Sequence, residues 1–423
     1  MVASMNYTSA SSSSIAPQFS WTKDAAKINH GTMIAVEFVG KAHVLAVCGL
    51  FLVSAGTCQE PPPKAKQRSP AISGPALPST LTAKTNPITD LVLIYDGADD
   101  RIPWTVDRFR PYVYREEAGK MDWLYDGFLF LDRLAKSGRR LSPITNRKDA
   151  VKSDWLDLLD HYFRPGESIA ALELLLDSLA ARGDRPLRKR MVVIALPTPM
   201  TGSDPNRIVI TSEWGELDAR KLDFNQAQDR VEAAQWYVDE ALKRWQQMNY
   251  KHLELAGFYW LFERAWRVHQ TAAIGQYINS KGSRLYWIPS WPQGRKNWQE
   301  YGFDFVYQKP NYFFHRQPTP ADRLEAACQF AEGCGTTMEM EFNKDLLTKA
   351  PFLTYFDEYL QAYETHHVWD KKPVAYYEGG GTWRDMAESK DPAVQRRFQA
   401  MADIIVKRQR KADNGFVFRQ EAK

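Results

Sequence analysis

The stretch Thr336–Asn343, "TTMEMEFN", has the size and bounds of a buried strand, yet it carries Glu339 and Glu341. Side chains alternate across a strand, so a spacing of two puts both carboxylates on one face. Met338, Met340 and Phe342 take the other. Burying an unpaired carboxylate is costly, so acids aimed into a sheet need a reason. Proton transfer supplies one, because cleaving a glycosidic bond takes two carboxyl groups facing each other. Other chemistries lack their signatures. The eight histidines form no H-x-H and no H-E-x-x-H, so no metal and no cofactor is expected. "THHVW" sets His366 and His367 at a helix end, where they face the dipole. Neither a G-x-S-x-G elbow nor a Walker loop is present.

The elements that must position these acids follow a repeating pattern from Asp90 onward. Eight short apolar runs alternate with helical stretches. They are "DLVLIYDG" (90–97), "MDWLYDGFLFL" (121–131), "KRMVVIALP" (189–197), "LELAGFYWLFE" (253–263), "RLYWIPSW" (284–291), "FDFVYQKPNYFF" (303–314), "TTMEMEFN" and "KPVAYYEGGG" (372–381). Near-continuous apolar strands separated by helices imply a parallel sheet covered on both faces. Helix signals include Ser153 as an N-cap, Gly183 as a stop, and Thr319 followed by Pro320 as a start. The α/β pattern predicts a single (β/α)8 TIM barrel. An open doubly wound sheet would show G-x-G-x-x-G after its first strand, and none appears. The fifth connection is short, so its helix should shrink to one or two turns.

In such barrels the working site lies at the C-terminal ends of the strands. Strand four ends in Tyr259 and Trp260, followed by Glu263, and strand seven in Glu339 and Glu341. If Tyr259 faces the axis, the shared parity carries Glu263 to the mouth, across the barrel from Glu341. Glu263 and Glu341 are therefore the expected catalytic pair, with Glu378 after strand eight as substitute for either. Glu339, one layer deeper, is expected to pair with a cation or a tyrosine hydroxyl and to orient Glu341. Asp96 and Asp126 are set either to bind sugar hydroxyls or to cap following helices. Trp260, Trp287 and Trp291 offer a sugar platform or core packing. Gln308, Asn311, Tyr312, Tyr259 and Tyr377 complete the expected binding rim. A glycoside hydrolase is the first expectation. A barrel that binds glycan without cleaving it is the second, and a lyase using Tyr259 or Tyr377 as base the third.

Together, "DLVLIYDG", "DWLYDGFLFL", "GFYWLFE", "WIPSW…GFDFVYQKPNYFF", "MEMEFN" and "AYYEGGG" resemble the bacterial DUF4855 family over residues 89–412. The resemblance implies carbohydrate processing in secreted or surface proteins, and brings no established catalytic residues with it. Strand four also lacks the Asn-Glu pair of the large retaining-glycosidase clan.

Composition fits a globular, exported protein. The 423 residues are 44% hydrophobic and 25% charged, with 14 Trp, 19 Tyr and 21 Phe. A net charge of +4 without a long basic block disfavours nucleic acid. Residues 1–32 are Ser-rich and patternless and read as an extension ahead of a true start at Met33. Residues 33–58 read as a signal peptide, with Lys41 before an apolar run from Val44 to Val53. Cys58 is then either a lipidated cysteine or an ordinary residue of an exported chain, since Thr57 departs from the usual lipoprotein pattern. Membrane contact is expected only through that anchor. Residues 59–88 form a Pro/Ser linker and 413–423 a tail. Cys328 and Cys334 are expected as buried thiols, not a bridge. The expected partner is an oligo- or polysaccharide, met in the periplasm, outside the cell or at its surface.

Overall fold

A computed structural model describes residues 85–420, apart from 99, 144–146, 200–212, 265–267, 294–296 and 315–321. The expected extension, signal peptide, Cys58, most of the linker, and the Thr319–Pro320 helix start lie outside the described residues.

Eight parallel strands close a barrel. In chain order they are β1 (Asp90–Tyr95), β2 (Gly127–Leu131), β3 (Arg190–Leu196), β4 (Leu253–Trp260), β5 (Arg284–Trp287), β6 (Phe305–Gln308), β7 (Thr337–Glu341) and β8 (Val374–Tyr377). Each pairs with its sequence neighbours, and β8 closes on β1 through Asp90–Val374 to Val92–Tyr376. Every residue of β2 and β7 is buried, which explains why the strands read as apolar runs without alternation. The fold is the expected (β/α)8 barrel.

Three local departures matter for the site. First, the apolar run 121–131 is not one strand. Lys120–Trp123 pairs antiparallel with Tyr114–Glu117 as a separate hairpin, and β2 begins only at Gly127. Second, β4 carries an extra residue. Leu255 faces Val192 but Gly257 faces Val193, so Ala256 is bulged and the period-two phase is reset before Tyr259. Gly257 is required where β4 meets β5, because a Cβ there would stand 2.0 Å from the Arg284 carbonyl oxygen. Third, a second hairpin, Glu213–Leu217 with Arg220–Asp223, stands between β3 and the helix Ala227–Met248.

The helices follow their signals with shifts at the caps. The helix Lys152–Tyr162 starts at Val151, with Ser153 inside it; the Asp154 carboxylate accepts from the Val151 amide at 2.7 Å instead. The fifth connection ends in a single 3-10 turn, Trp298–Tyr301. Cys328 and Cys334 are buried and not bridged. No helix of the described residues is long and apolar enough to cross a membrane.

The N-terminal ends of the strands are sealed by ionic and hydrogen-bonded groups. Asp90 is fully buried, pairs with Arg408 at 2.7 Å and accepts from the Tyr376 hydroxyl at 2.7 Å. Arg408 also donates to the carbonyls of Thr89, Trp369 and Lys372. The tail packs on this base, with Phe418 against Arg408 and Gln420 accepting from the Val306 amide at 3.0 Å.

Candidate active site at the strand ends

β7 delivers Glu339 and Glu341 to the C-terminal end of the barrel, and the two are not equivalent. Glu341 is fully buried and held. Its Oε2 accepts from the Tyr359 hydroxyl at 2.8 Å and the Tyr312 amide at 3.3 Å, while Oε1 has no partner among the described residues. Tyr359 belongs to the outer helix Ala350–Thr365, so Glu341 is tied to the barrel wall. Glu339 is 2% exposed, and no hydrogen bond reaches its carboxyl among the described residues. Burial pushes that carboxyl well above its ordinary range; Lys309 opposes this, while Glu341 and Glu263 add to it. Glu341 is also raised by burial, against the pull of Lys309 and Tyr359. The two carboxyls interact, so ionising Glu341 disfavours ionising Glu339.

The expected orienting role is thus reversed. Glu341 has the tyrosine partner, and Glu339 faces a lumen shared with Tyr95, Tyr259, Tyr377 and Lys309, each of which interacts electrostatically with it.

Glu263 lies three residues beyond β4, half-buried at the mouth. Lys309 Nζ donates to its Oε1 at 3.1 Å and Ser290 Oγ donates to its Oε2. Burial alone would raise Glu263, but the Lys309 ammonium and these hydrogen bonds outweigh it and hold the carboxyl below its ordinary value. Lys309 is itself kept charged: burial works against its ammonium, but Glu263, Glu341 and Glu339 together outweigh it. One ammonium therefore sits among three carboxyls, of which Glu263 is held below its ordinary range and Glu339 and Glu341 above it.

An aromatic wall rises beside them. Tyr95 and Tyr377 meet edge to face at 5.5 Å, Phe314 meets Tyr377 the same way at 5.4 Å, and Phe314 is 42% exposed. Lys309 stands over the Tyr377 ring at 5.8 Å.

The remaining expected residues divide. Asp126 is at the wrong end. Because β2 starts at Gly127, Asp126 precedes the strand and accepts from the Thr89 and Asp90 amides and from Arg188. Asp96 does sit at a strand end, but its carboxylate is engaged by His161 at 2.6 Å and by Ser168, so it ties two helices to the barrel. Glu378 follows the inward Tyr377 and turns outward. It accepts from the Gly381 and Trp383 amides and the Tyr112 hydroxyl, capping the helix Thr382–Glu388, and cannot replace either acid in the lumen. Burial pushes its carboxyl up to about 7, against those donors and Arg108.

Trp287 is fully buried, stacks on Phe303 at 4.6 Å and donates to the Phe262 carbonyl, so it is core. Trp260 is 5% exposed and likewise belongs to the wall, leaving only Trp291 partly open, under Arg323. Gln308 is fully buried and ties loops by donating to the Pro289 carbonyl at 2.9 Å. Asn311 takes a left-handed turn, φ 54°, after β6. Tyr312 donates to Glu358 and packs on Tyr355 and Tyr359, outside the lumen.

Sequence reading missed Lys309, Ser290, Phe314 and Arg133. Lys309 was legible, since it continues the parity of Phe305 and Tyr307. Arg133 lies two residues beyond the end of strand two, outside the apolar run that marked it.

Two features lie elsewhere. Glu173, Asp177 and His252 bring ligand atoms within 4.8 Å at the start of β4. Glu173 already accepts the Lys251 and His252 amides, and Lys251 Nζ stands 3.8 Å from Asp177, so the group is a charge-matched cap. A cleft of about 530 Å³ opens near the N-terminal ends of the strands, lined by Trp123, Arg185, Arg410 and Asp413 among others. Its Arg410 is paired with Asp122 at 2.5 Å, and none of the strand-end acids reaches it.

The sequence matches DUF4855, described as a domain of unknown function, over residues 90–403. The chain belongs to this family. No curated protein matches it. Among solved structures, a GH113 beta-1,4-mannanase is 8% identical, with 74% of this chain and 97% of that one covered at a TM-score of 0.38. The glycoside hydrolase domain of PgaB (BpsB) from Bordetella bronchiseptica is 9% identical, with 71% and 91% covered at a TM-score of 0.35. The DUF4855 barrel described above stands on its own strand pairing.

Proposed function

We propose that this DUF4855 protein is a glycoside hydrolase in which Glu339 is the general acid and Glu263 the ionised partner. The observation that carries the reading is the separation of the two carboxyls in proton affinity. Glu339 is raised by burial and Glu263 lowered by Lys309 within one mouth. Two carboxyls pushed apart in this way are suited to opposite roles. Glu339 would give its proton to the glycosidic oxygen, and Glu263 would act on the anomeric carbon directly or through water. Tyr95, Tyr377 and Phe314 supply flat faces for sugar C–H groups.

Glu339→Gln keeps the shape and neutrality of the protonated acid while removing its proton. It should lower turnover of unactivated glycans by about 10²–10⁴-fold. Turnover of a glycoside whose leaving group needs no proton should largely survive. Glu263→Gln should lose both. Equal losses on the two substrates with Glu339→Gln would remove Glu339 from the acid role.

One observation favours a second reading, glycan binding without cleavage: the Glu263 carboxyl, held below its ordinary range, is already paired with Lys309. Under that reading Glu339→Gln leaves glycan affinity intact and no variant changes a turnover that is zero.

Export belongs to the same proposal, carried by the apolar run 44–53 after Lys41 and by Cys58. Mass spectrometry of the mature N-terminus tests it: a start near residue 58 supports export, and peptides from residues 1–32 contradict it.

A further inference from the structure

The cations of the mouth differ in how acids balance them. Lys309 is matched by Glu263 at 3.1 Å. Arg101 is matched by Asp132, through Nε at 2.9 Å and a terminal nitrogen at 3.2 Å. Arg133, two residues beyond β2, has no ion pair among the described residues. Its neighbour Asp132 is not available to it. The Asp132 carboxylate accepts from the Ala98, Arg133 and Leu134 amides as well as from Arg101.

Those bonds fix the place of Arg133. Its amide donates to Asp132 at 2.6 Å and its carbonyl accepts from the Leu141 amide at 2.9 Å. The side chain is half-buried. Leu131 pairs with Tyr95, whose ring meets Tyr377, so Arg133 takes the next position of that inward parity just beyond β2; in keeping with this, its charge acts on the Tyr95, Tyr259 and Tyr377 hydroxyls and on Glu263. A guanidinium presents a planar fork of donors that matches a carboxylate or a sulfate. Held partly out of water with no ion pair among the described residues, it is suited to an anion that arrives with a ligand.

We propose that the substrate glycan is acidic, and that Arg133 binds a carboxylate or sulfate on the sugar seated beside Glu339. The proposal rests on the hydrolase reading for the position of that sugar, and its affinity consequences do not depend on cleavage. Arg133 then determines specificity while Glu339 and Glu263 carry the reaction. Neutral glycans would leave the guanidinium desolvated and unpaired, which disfavours them.

The test is calorimetric binding to the otherwise intact protein carrying Glu339→Gln, which prevents turnover without altering the charge of the mouth. Three probes are used: oligogalacturonate, a chondroitin sulfate oligosaccharide and a neutral cello-oligosaccharide. One acidic probe should bind at least about tenfold more tightly than the neutral one, and which of the two does so identifies the anion. Adding Arg133→Ala should weaken that binding by about ten- to a hundredfold, as expected for a charge-assisted hydrogen bond. Arg133→Lys should restore part of it, and the melting temperature should not move. Equal affinity for neutral and acidic probes, no binding of either acidic probe, or no effect of Arg133→Ala would overturn the proposal. Tight acidic binding with no cleavage by the wild type would defeat the hydrolase reading and leave Arg133 in place. Cleavage of neutral glycans unaffected by Arg133→Ala would do the reverse.

Discussion

At the residue scale, Glu339 and Glu341 stand one pleat repeat apart, yet their partners separate what each can do. Glu341 accepts from Tyr359 and from the Tyr312 amide, whereas no hydrogen-bond donor reaches the Glu339 carboxyl among the described residues. Glu341→Gln should therefore lower turnover far less than Glu339→Gln. Tyr359→Phe should leave a buried carboxyl oxygen short of a donor and destabilise the fold by about 1–3 kcal/mol, read by chemical denaturation. The pH dependence of turnover follows from the two shifts. Glu339 must keep its proton, and its raised affinity extends activity upward in pH, with a fall once it deprotonates. Glu263 must stay ionised, and its lowered affinity pushes the acid limb below the ordinary carboxylate range. A rate that rises through the alkaline range would contradict this assignment. The strand alternation made both glutamates visible in the sequence as a pair. It could not rank them, because their partners come from residues far away in the chain: Tyr359 on an outer helix and Lys309 after β6.

At the element scale, strand boundaries decided which acids reach the mouth. Glu263 arrives there because the phase reset at Ala256 leaves Tyr259 inward. Asp126 does not, because the hairpin Tyr114–Trp123 takes up the first part of its apolar run. A run of apolar residues does not reveal where one strand ends and a hairpin begins, so this error was built into the pattern. Asp126 is instead a structural group at the base, and Asp126→Ala leaves two amides without their acceptor and Arg188 with only Asp413 and Gln409. It should cost about 1–3 kcal/mol, the range for leaving buried donors unsatisfied, while the folded fraction keeps its glycan affinity. A variant of native stability would contradict the role given to Asp126 here. Glu378 gives the element after β8 a pH dependence. Its folded carboxyl is raised from 4.5 to about 7. The folded state thus binds this proton more tightly than the unfolded chain does. Its contribution to stability is full below about pH 4.5 and is lost as pH rises through about 7, on the order of 3 kcal/mol across the window. Denaturation at pH 5 and pH 8 should show that decline in the wild type and a flatter response in Glu378→Gln. Equal slopes would contradict it.

At the scale of the whole molecule, eight apolar runs separated by helices made the barrel legible, because strands covered on both faces leave little room for alternation. The two polar ends of the barrel were not separable in the same way. Asp90, Asp126 and Arg408 at the base, and Glu339, Glu263, Lys309 and Arg133 at the mouth, are all charged residues at the ends of apolar runs. Only their pairing in space divides them. At the base every charge named is matched, with Asp90 on Arg408 and Asp126 on Arg188. At the mouth, the Glu339 carboxyl and the Arg133 guanidinium have no ion pair or hydrogen bond among the described residues, which is why the proposed site is placed there. The most direct test is the release of reducing ends from a panel of acidic and neutral polysaccharides by the wild type, Glu339→Gln and Glu263→Gln. Release by the wild type, reduced about 10²-fold or more in each variant with folding intact, is the expected result. No release from any polysaccharide, or release that both variants match, would contradict the account.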